Sequence, residues 1–365
     1  MLLSFIFYIF ELESIFMAKN KSDLEKEILD YLTKHPNSSS TEVHEGLGNV
    51  VAIATIKRTL VLLLNKNFID ISGKGKATKY TISKGLDLLF TVDIATYFAK
   101  EIDERKINNS FDFNLLTEKL KEISLFTIEE IQLLDHLHNT FSKNISKLNE
   151  NEYNQEFERL AIDLSWKSSQ IEGNTYSLLE TERLLKDKET AEGKTKDEAV
   201  MLLNHKVALD FVLKNPDYLS PLRVSAIEDI HSLLVKDLGI EKNIRNRRVG
   251  ITGTNYRPLD TDFQIKEALR EMCDLINTKD SVFEKSLLAL LLLSYIQPFS
   301  DGNKRTARIV SNTILIQNKY CPISFRTVDS IDYKKAMLIF YEQNNISAFK
   351  KIFIDQFAFA VNTYF

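Results

Sequence analysis

The chain has 365 residues, 44% apolar and 27% charged, with 11 Gly and 6 Pro. That balance excludes a disordered or fibrous chain, and so little Gly and Pro argues against a loop-rich or all-β protein. A net charge of −4 excludes a polyanion binder as a whole and leaves room only for local basic patches. At roughly 150 residues per domain, two or three domains are predicted. Cys273 and Cys321 form no CxxC pair and no disulfide framework, which predicts a reducing, cytoplasmic compartment.

Met1 to Phe10 is almost wholly apolar but ends at Glu11 and Glu13. It falls short of the ~20 apolar residues of a membrane span and lacks the basic start of a signal peptide. Met17-Ala18-Lys19 reads as the more natural start, so residues 1–16 are expected to be an extension from a mis-called start. The other reading is a short docked or membrane-touching helix.

Residues 20–85 come next. Leu24, Ile28, Leu29 and Leu32 have helical spacing, and His35-Pro36-Asn37 stops that helix. Ser38 to Ser40 can cap a short second helix. Val51 to Asn65 reads as a third, with Ile53, Ile56, Leu60, Leu63 and Leu64 on one face. Phe68–Ser72 and Lys79–Ser83 read as strands around a Gly73-Lys74-Gly75-Lys76 turn. Three helices and a hairpin in this order resemble a winged helix-turn-helix domain. Between Val51 and Lys84 there are seven basic residues and one acidic residue, Asp70. Lys57 and Arg58 fall on the recognition-helix position, and Lys74 and Lys76 at the wing tip. They are the candidate DNA contacts, since such charges hold phosphates and fix register. The alternative is a protein-docking module.

Residues 86–150 read as a charged helical connector without a catalytic pattern. His136 and His138 lie two apart and so do not share a helix face. Residues 151–365 read as nearly all helix, with 155–172, 282–296 and 303–317 among the segments. Arg247 to Leu259 is the exception, where Val249, Ile251, Gly253 and Pro258 predict a β-hairpin.

Between two of those helices runs Gln297-Pro298-Phe299-Ser300-Asp301-Gly302-Asn303-Lys304-Arg305-Thr306-Ala307-Arg308. An apolar helix ends at a proline, and a short loop opens a new helix with two arginines in its first turns. Free backbone N–H groups at a helix N-terminus bind anions. Arg305 and Arg308, three apart, reach the same face. Asp301 beside them suits Mg²⁺, which usually takes one carboxylate plus substrate phosphates.

The same residues resemble the Fic signature, H-P-F-x-D/E-G-N-G-R-x-x-R. Pro298, Phe299, Asp301, Gly302, Asn303, Arg305 and Arg308 match it. The resemblance implies a mainly α Fic-type helical bundle with a β-hairpin flap, preceded by a helical connector and the small winged-helix α+β domain. It implies ATP and Mg²⁺, with Phe299 anchoring the loop and Asp301 holding the metal. Gly302, Asn303, Lys304, Arg305 and Arg308 would surround the phosphates. The flap residues Val249, Gly250, Ile251, Thr252 and Gly253 would align a target by strand addition. The family usually transfers AMP from ATP to a protein hydroxyl.

Ser168-Ser169-Gln170-Ile171-Glu172-Gly173 resembles the family's inhibitory motif, S/T-x-x-x-E-G/N, through Ser168, Glu172 and Gly173. There the glutamate pairs with the last signature arginine, here Arg308, and denies it to the γ-phosphate.

Two positions depart from the signature. Gln297 stands where the family has its general-base histidine, and losing such a base costs about 10²–10⁴-fold. None of the six histidines lies in the signature; His205 and His231 read as structural. Lys304 replaces a glycine, as in the Doc branch, which transfers phosphate. Three readings follow. The first is an autoinhibited adenylyltransferase weakened or switched off by Gln297, acting on a target protein hydroxyl (Ser, Thr or Tyr) or on itself, with Tyr256 a candidate. The second is a Doc-like protein kinase. The third is a non-catalytic ATP-sensing DNA-binding regulator. A homodimer and no membrane partner complete the expectation.

Overall fold

The computed structural model describes residues 23–365, so the reading of residues 1–16 lies outside the described residues. Two compact units divide between Phe90 and Thr91.

In the first unit, helix α1 covers 23–34, α2 Ser40–Gly46 and α3 Ile53–Asn65. Ile28, Leu29, Leu32, Val43, Ile56, Leu60 and Leu63 are buried, the period expected of helices covering one core. Ser39 caps α2 in a reciprocal box with Glu42. Strands β1 (Ile69–Ser72) and β2 (Lys79–Ile82) pair antiparallel, with Ile71 opposite Tyr80. Gly73, at φ +74°, opens their turn; a Cβ there would lie 2.2 Å from the Ala77 carbonyl oxygen. A short α4 (Leu86–Leu89) closes the unit.

The second unit is helical. It contains α5 (Ile94–Phe98), α6 (Leu120–Glu122), α7 (Ile128–Ile145), α8 (Glu150–Ile171), α9 (Leu178–Asp187) and α10 (Lys196–Lys214). Then come α11 (Val224–Leu234), α12 (Asp262–Thr278), α13 (Val282–Ile296), α14 (Asn303–Gln317), α15 (Ser330–Gln343) and α16 (Ser347–Tyr364). Helix α13 is buried on every side from Ser286 to Ile296 and packs on α12, α14 and α15. A leucine run with no polar face can only sit at the centre of a bundle. No described helix is long and apolar enough to cross a membrane.

Two expectations need correction. Residues 86–150 are not one helical connector. Leu86 to Phe90 belong to the first unit, and residues 105–112 are in no helix, with a single bridge at Ser110. The reason is burial. Arg105 forms a sequestered ion pair with Glu342 at 3.1 Å, and Phe111 stacks on Tyr295 at 4.7 Å. Nor do residues 247–259 form a β-hairpin. The pairing of Arg257 is with Ser110, an isolated parallel bridge, and the Arg257 N–H donates to the Asn109 carbonyl at 3.0 Å. The connector residues thus take the pairing that a second flap strand would have made.

Candidate functional site

The α13–α14 loop forms the site, and each of its unusual backbone positions has a local cause. Gln297 ends α13 in the left-handed region at φ 51°. Phe299 is fully buried and stacks on His231, with ring centroids 3.6 Å apart. Gly302, at φ +80°, caps α14. A Cβ there would lie 3.2 Å from both His231 Cε1 and Val235 Cγ1, so only glycine fits without displacement. Side chains cap the N-termini of α8, α9, α10, α12, α13 and α15, but none caps α14. Helices α11 and α16 likewise lack a side-chain cap; the α14 N-terminus lies at the positive end of its helix dipole.

The two signature arginines differ in what they touch. Arg305 is 1% exposed, yet its Nε and Nη1 have no hydrogen-bond partner; Nη2 lies 3.5 Å from the Asp301 carboxylate. A buried guanidinium with open donors is costly unless an anion completes it. Burial lowers its pKa. Arg308 has every nitrogen engaged. Its Nε donates to Ser168 Oγ at 2.8 Å, Nη1 to Tyr333 Oη at 3.2 Å, and Nη2 to the Ser168 carbonyl and Glu172 Oε1, both at 2.9 Å. Its guanidinium also lies 5.4 Å from the Tyr333 ring centroid, within cation–π range. These contacts draw on α8, α14 and α15 together. Glu172 is pulled two ways. Burial pushes its pKa up, while Arg308 first and Lys304 next pull it down, and the net direction is down. Gly173, at φ +101°, lets the chain leave α8 directly after Glu172.

Three expected phosphate or catalytic residues are placed differently from their sequence reading. The Asn303 carboxamide is engaged within the loop: Oδ1 accepts the Phe299 N–H at 2.8 Å, and Nδ2 donates to the Phe299 carbonyl at 2.8 Å and Gln297 Oε1 at 3.0 Å. These bonds close the loop on itself. Lys304 Nζ lies 3.6 Å from Glu172 Oε2, so it faces the glutamate. The Gln297 side chain is held at both ends, Nε2 donating to the Ser294 carbonyl at 2.6 Å while Oε1 accepts from Asn303. The Asp301 side chain is 65% exposed, and its Oδ1 accepts the Gly302 N–H at 2.6 Å. No described group of three or more His, Cys, Asp or Glu could hold a metal alone. One exposed carboxylate beside the α14 N-terminus would suit Mg²⁺ only as a nucleotide complex.

Among the described residues, Val249, Gly250, Ile251, Thr252 and Gly253 make no backbone–backbone hydrogen bond, although the Gly253 carbonyl accepts from Arg105 Nη2 at 2.9 Å. Tyr256 is 2% exposed and donates to the Tyr295 carbonyl at 3.0 Å, so it is anchored inside and does not offer its hydroxyl. His231 and His205 are fully buried, their pKa values lowered chiefly by burial. His231 Nδ1 lies 3.2 Å from Thr306 Oγ1, and His205 Nδ1 3.2 Å from Ser165 Oγ. His138 stacks on Tyr320 at 3.8 Å. Sequence reasoning missed Tyr333, whose partner Arg308 lies 25 residues away, and Arg245, which reaches Gln297 across 52.

In the first unit, Lys57, Arg58, Lys74 and Lys76 are exposed. Two neighbouring basic residues are not available: Lys66 pairs with Glu25 and Lys79 with Glu42, both at 2.7 Å.

Comparison with known families decides the class. Residues 221–315 match the Fic/DOC family, and residues 21–121 match the penicillinase repressor family. The C-terminal region is a Fic/DOC domain. The N-terminal region is winged-helix-like. Curated relatives called protein adenylyltransferase Fic include one from Nematostella vectensis, 28% identical over 177 residues, covering 46% of this chain and 40% of its own length. One from Drosophila willistoni is 30% identical over 161 residues, covering 42% of this chain and 31% of its own. The chain thus spans less than half the length of these relatives. Among solved structures, Fic-1 from C. elegans superposes with a TM-score of 0.56 at 19% identity, covering 65% of this chain and 72% of that one. A Fic-domain signaling protein from Bacteroides thetaiotaomicron gives 0.55 at 20% identity, covering 64% and 95%. At these identities the likeness concerns the fold.

Proposed function

We propose that the Fic domain is a protein adenylyltransferase, held off by Glu172 on Arg308 and disarmed as written at Gln297. Its substrates would be ATP and a Ser, Thr or Tyr hydroxyl on a target protein or on the chain itself. The carrying observation is the contrast between the two arginines: Arg305 buried with open donors, and Arg308 with every nitrogen engaged, one of them by a carboxylate. The α14 N-terminus and Arg305 would receive phosphate oxygens. Asp301 would hold Mg²⁺, which neutralises phosphate charge. In the transfer, the hydroxyl oxygen bonds to the α-phosphorus, the bond to the β-phosphate bridging oxygen breaks, and pyrophosphate leaves. The hydroxyl proton needs a base at position 297. A carboxamide does not serve as one near neutral pH, and here its oxygen already accepts from Asn303.

A second reading has its own support. Gln297 engaged at both ends, together with four exposed cations on a winged-helix-like unit, favours a non-catalytic ATP-sensing DNA-binding regulator. The test uses ATP labelled at the α- or γ-phosphate, Mg²⁺ and cell lysate. It compares the chain as it stands, Gln297→His, and Gln297→His with Glu172→Gly. Label from the α-phosphate after the histidine is restored is the expected result. Label from the γ-phosphate would replace it with the Doc-like kinase, and no label with ATP still bound would leave the regulator.

A further inference from the structure

Arg245 lies two residues before the flap segment and is 1% exposed. Among the described residues, its guanidinium meets no carboxylate at hydrogen-bond distance. Instead it donates to three carbonyls: Nε to Gln297, Nη1 to Arg247 and Nη2 to Leu259, each at 2.7 Å. Its own backbone N–H donates to the Pro298 carbonyl at 3.0 Å. Arg247 and Leu259 are the two ends of the flap segment, and Gln297 is the general-base position. One rigid fork therefore joins both ends of the flap to the turn where a reacting hydroxyl would be deprotonated.

We infer that Arg245 is a positioning residue that sets the flap against the position-297 turn. A target segment laid along 249–253 is thereby placed with its hydroxyl at that turn. This rests on the adenylyltransferase reading for its consequence, but the mechanical coupling does not. The physical reasons are specific. Gln297 sits at φ 51°, a left-handed conformation that a side chain tolerates only when its surroundings hold it. Its carbonyl is held by the same cation that holds the flap. Among the described residues, segment 249–253 makes no backbone–backbone hydrogen bond; Arg105 Nη2 holds its last carbonyl, Gly253, at 2.9 Å, and the position of the rest depends on what fixes the two ends. Planar guanidinium geometry reaches three carbonyls at once, which an ammonium cannot reproduce.

The test compares Arg245→Met and Arg245→Lys, each in the chain as it stands and in the Gln297→His background. Trypsin cleavage at Arg247 and Arg248 in the folded protein reads flap mobility without any catalysis; both side chains are exposed, at 63% and 83%. Arg245→Met is expected to speed that cleavage about tenfold or more, as removing the ties makes local opening easier. Calorimetric ATP–Mg²⁺ affinity should change by less than about threefold, because Arg245 bonds the loop at the Gln297 and Pro298 carbonyls and not at Gly302, Asn303 or Arg305. In the Gln297→His background the maximal labelling rate should fall about tenfold while half-saturating ATP stays within about twofold. Arg245→Lys should recover part of the flap protection, and it carries the test if the methionine variant does not fold. Unchanged cleavage overturns the inference, as does a parallel loss of melting temperature and ATP affinity, which would make Arg245 a general core residue. If cleavage responds as expected but no variant transfers label, the coupling stands and the adenylyltransferase reading falls.

Discussion

Replacing Glu172 by glycine removes the charge that occupies Arg308. In the folded chain that guanidinium is wholly buried and the glutamate side chain 21% exposed. Breaking a buried pair costs about 3–5 kcal/mol. Arg308 keeps Ser168 Oγ, the Ser168 carbonyl and Tyr333 Oη as acceptors, so we place the loss at about 1–3 kcal/mol, or roughly 3–10 °C in melting temperature. The freed Nη2 can then meet a γ-phosphate. A hydrogen bond between charged groups contributes about 1.5–3 kcal/mol, which is about 10- to 150-fold in affinity. ATP affinity should therefore rise by about that factor, and ADP affinity by less than about threefold, since ADP lacks the γ-phosphate. Calorimetry with a non-hydrolysable ATP analogue and with ADP reads both, and a melting curve reads the stability. An equal gain for ATP and ADP, or no gain, refutes the γ-phosphate contact. A gain without any loss of stability refutes the idea that the pair holds the fold. The pH dependence has a definite sign. The folded Glu172 pKa is lowered from its ordinary 4.5, so its stabilisation is present above that value. It is lost as pH falls through the lower folded value. The melting difference between the parent and Glu172→Gln should be flat from neutral pH down to about 5 and shrink only below that.

Further tests follow from other residues. Arg305→Met should leave melting unchanged or raise it, because it removes a buried charge with two unpartnered nitrogens, while ATP affinity falls about 10- to 100-fold. A lower melting point with unchanged ATP binding would contradict this. Lys304→Met should raise ATP affinity about two- to fivefold by loosening Glu172; a fall would restore Lys304 as a phosphate ligand. Burial holds the His231 pKa at about 4 against an ordinary 6.5. The unfolded chain therefore binds the proton first, and stability falls as pH drops between those values, by about 3 kcal/mol at 1.36 kcal/mol per unit. In His231→Leu that pH-dependent part should vanish from the melting curves, whatever the variant's stability at neutral pH. Changing Lys57, Arg58, Lys74 and Lys76 together to Ala should weaken binding to a DNA duplex. The log–log salt slope should fall by about 0.9 for each phosphate that is no longer neutralised. No binding by the parent at low salt would make the first unit a protein-docking module.

Most helices were legible because burial follows their spacing. Val282–Ile296 and Asn303–Gln317 match their predicted limits, since a leucine run ending before Pro298 and a glycine at Gly302 mark both ends locally. The segment 247–259 misleads at the level of sequence. Alternating Val249 and Ile251 promise a strand, but strand identity needs a partner, and Arg257 finds Ser110 instead. Asn303 misleads for a related reason. Its residue type suits a phosphate, but its oxygen and nitrogen close the loop on Phe299 and Gln297. Arg245 carries no signal, because an arginine that donates only to carbonyls leaves no pattern of charge in the sequence.

The sequence by itself determined the winged-helix-like and Fic segments, the glutamine at the base position and the pairing candidates Glu172 and Arg308. These depend on residue identity and on order over a few turns of chain. Only the tertiary structure decided which arginine has every nitrogen engaged and which keeps two unpartnered. It also decided that Lys304 faces the glutamate and that one guanidinium joins the flap to the signature turn. Ser168 reaches Arg308 across 140 positions of sequence, and Gln297 accepts from Arg245 across 52. Such contacts exist only once the buried α13 has brought its neighbours together, because a donor's partner is set by the packing around it and not by the residues beside it in the chain.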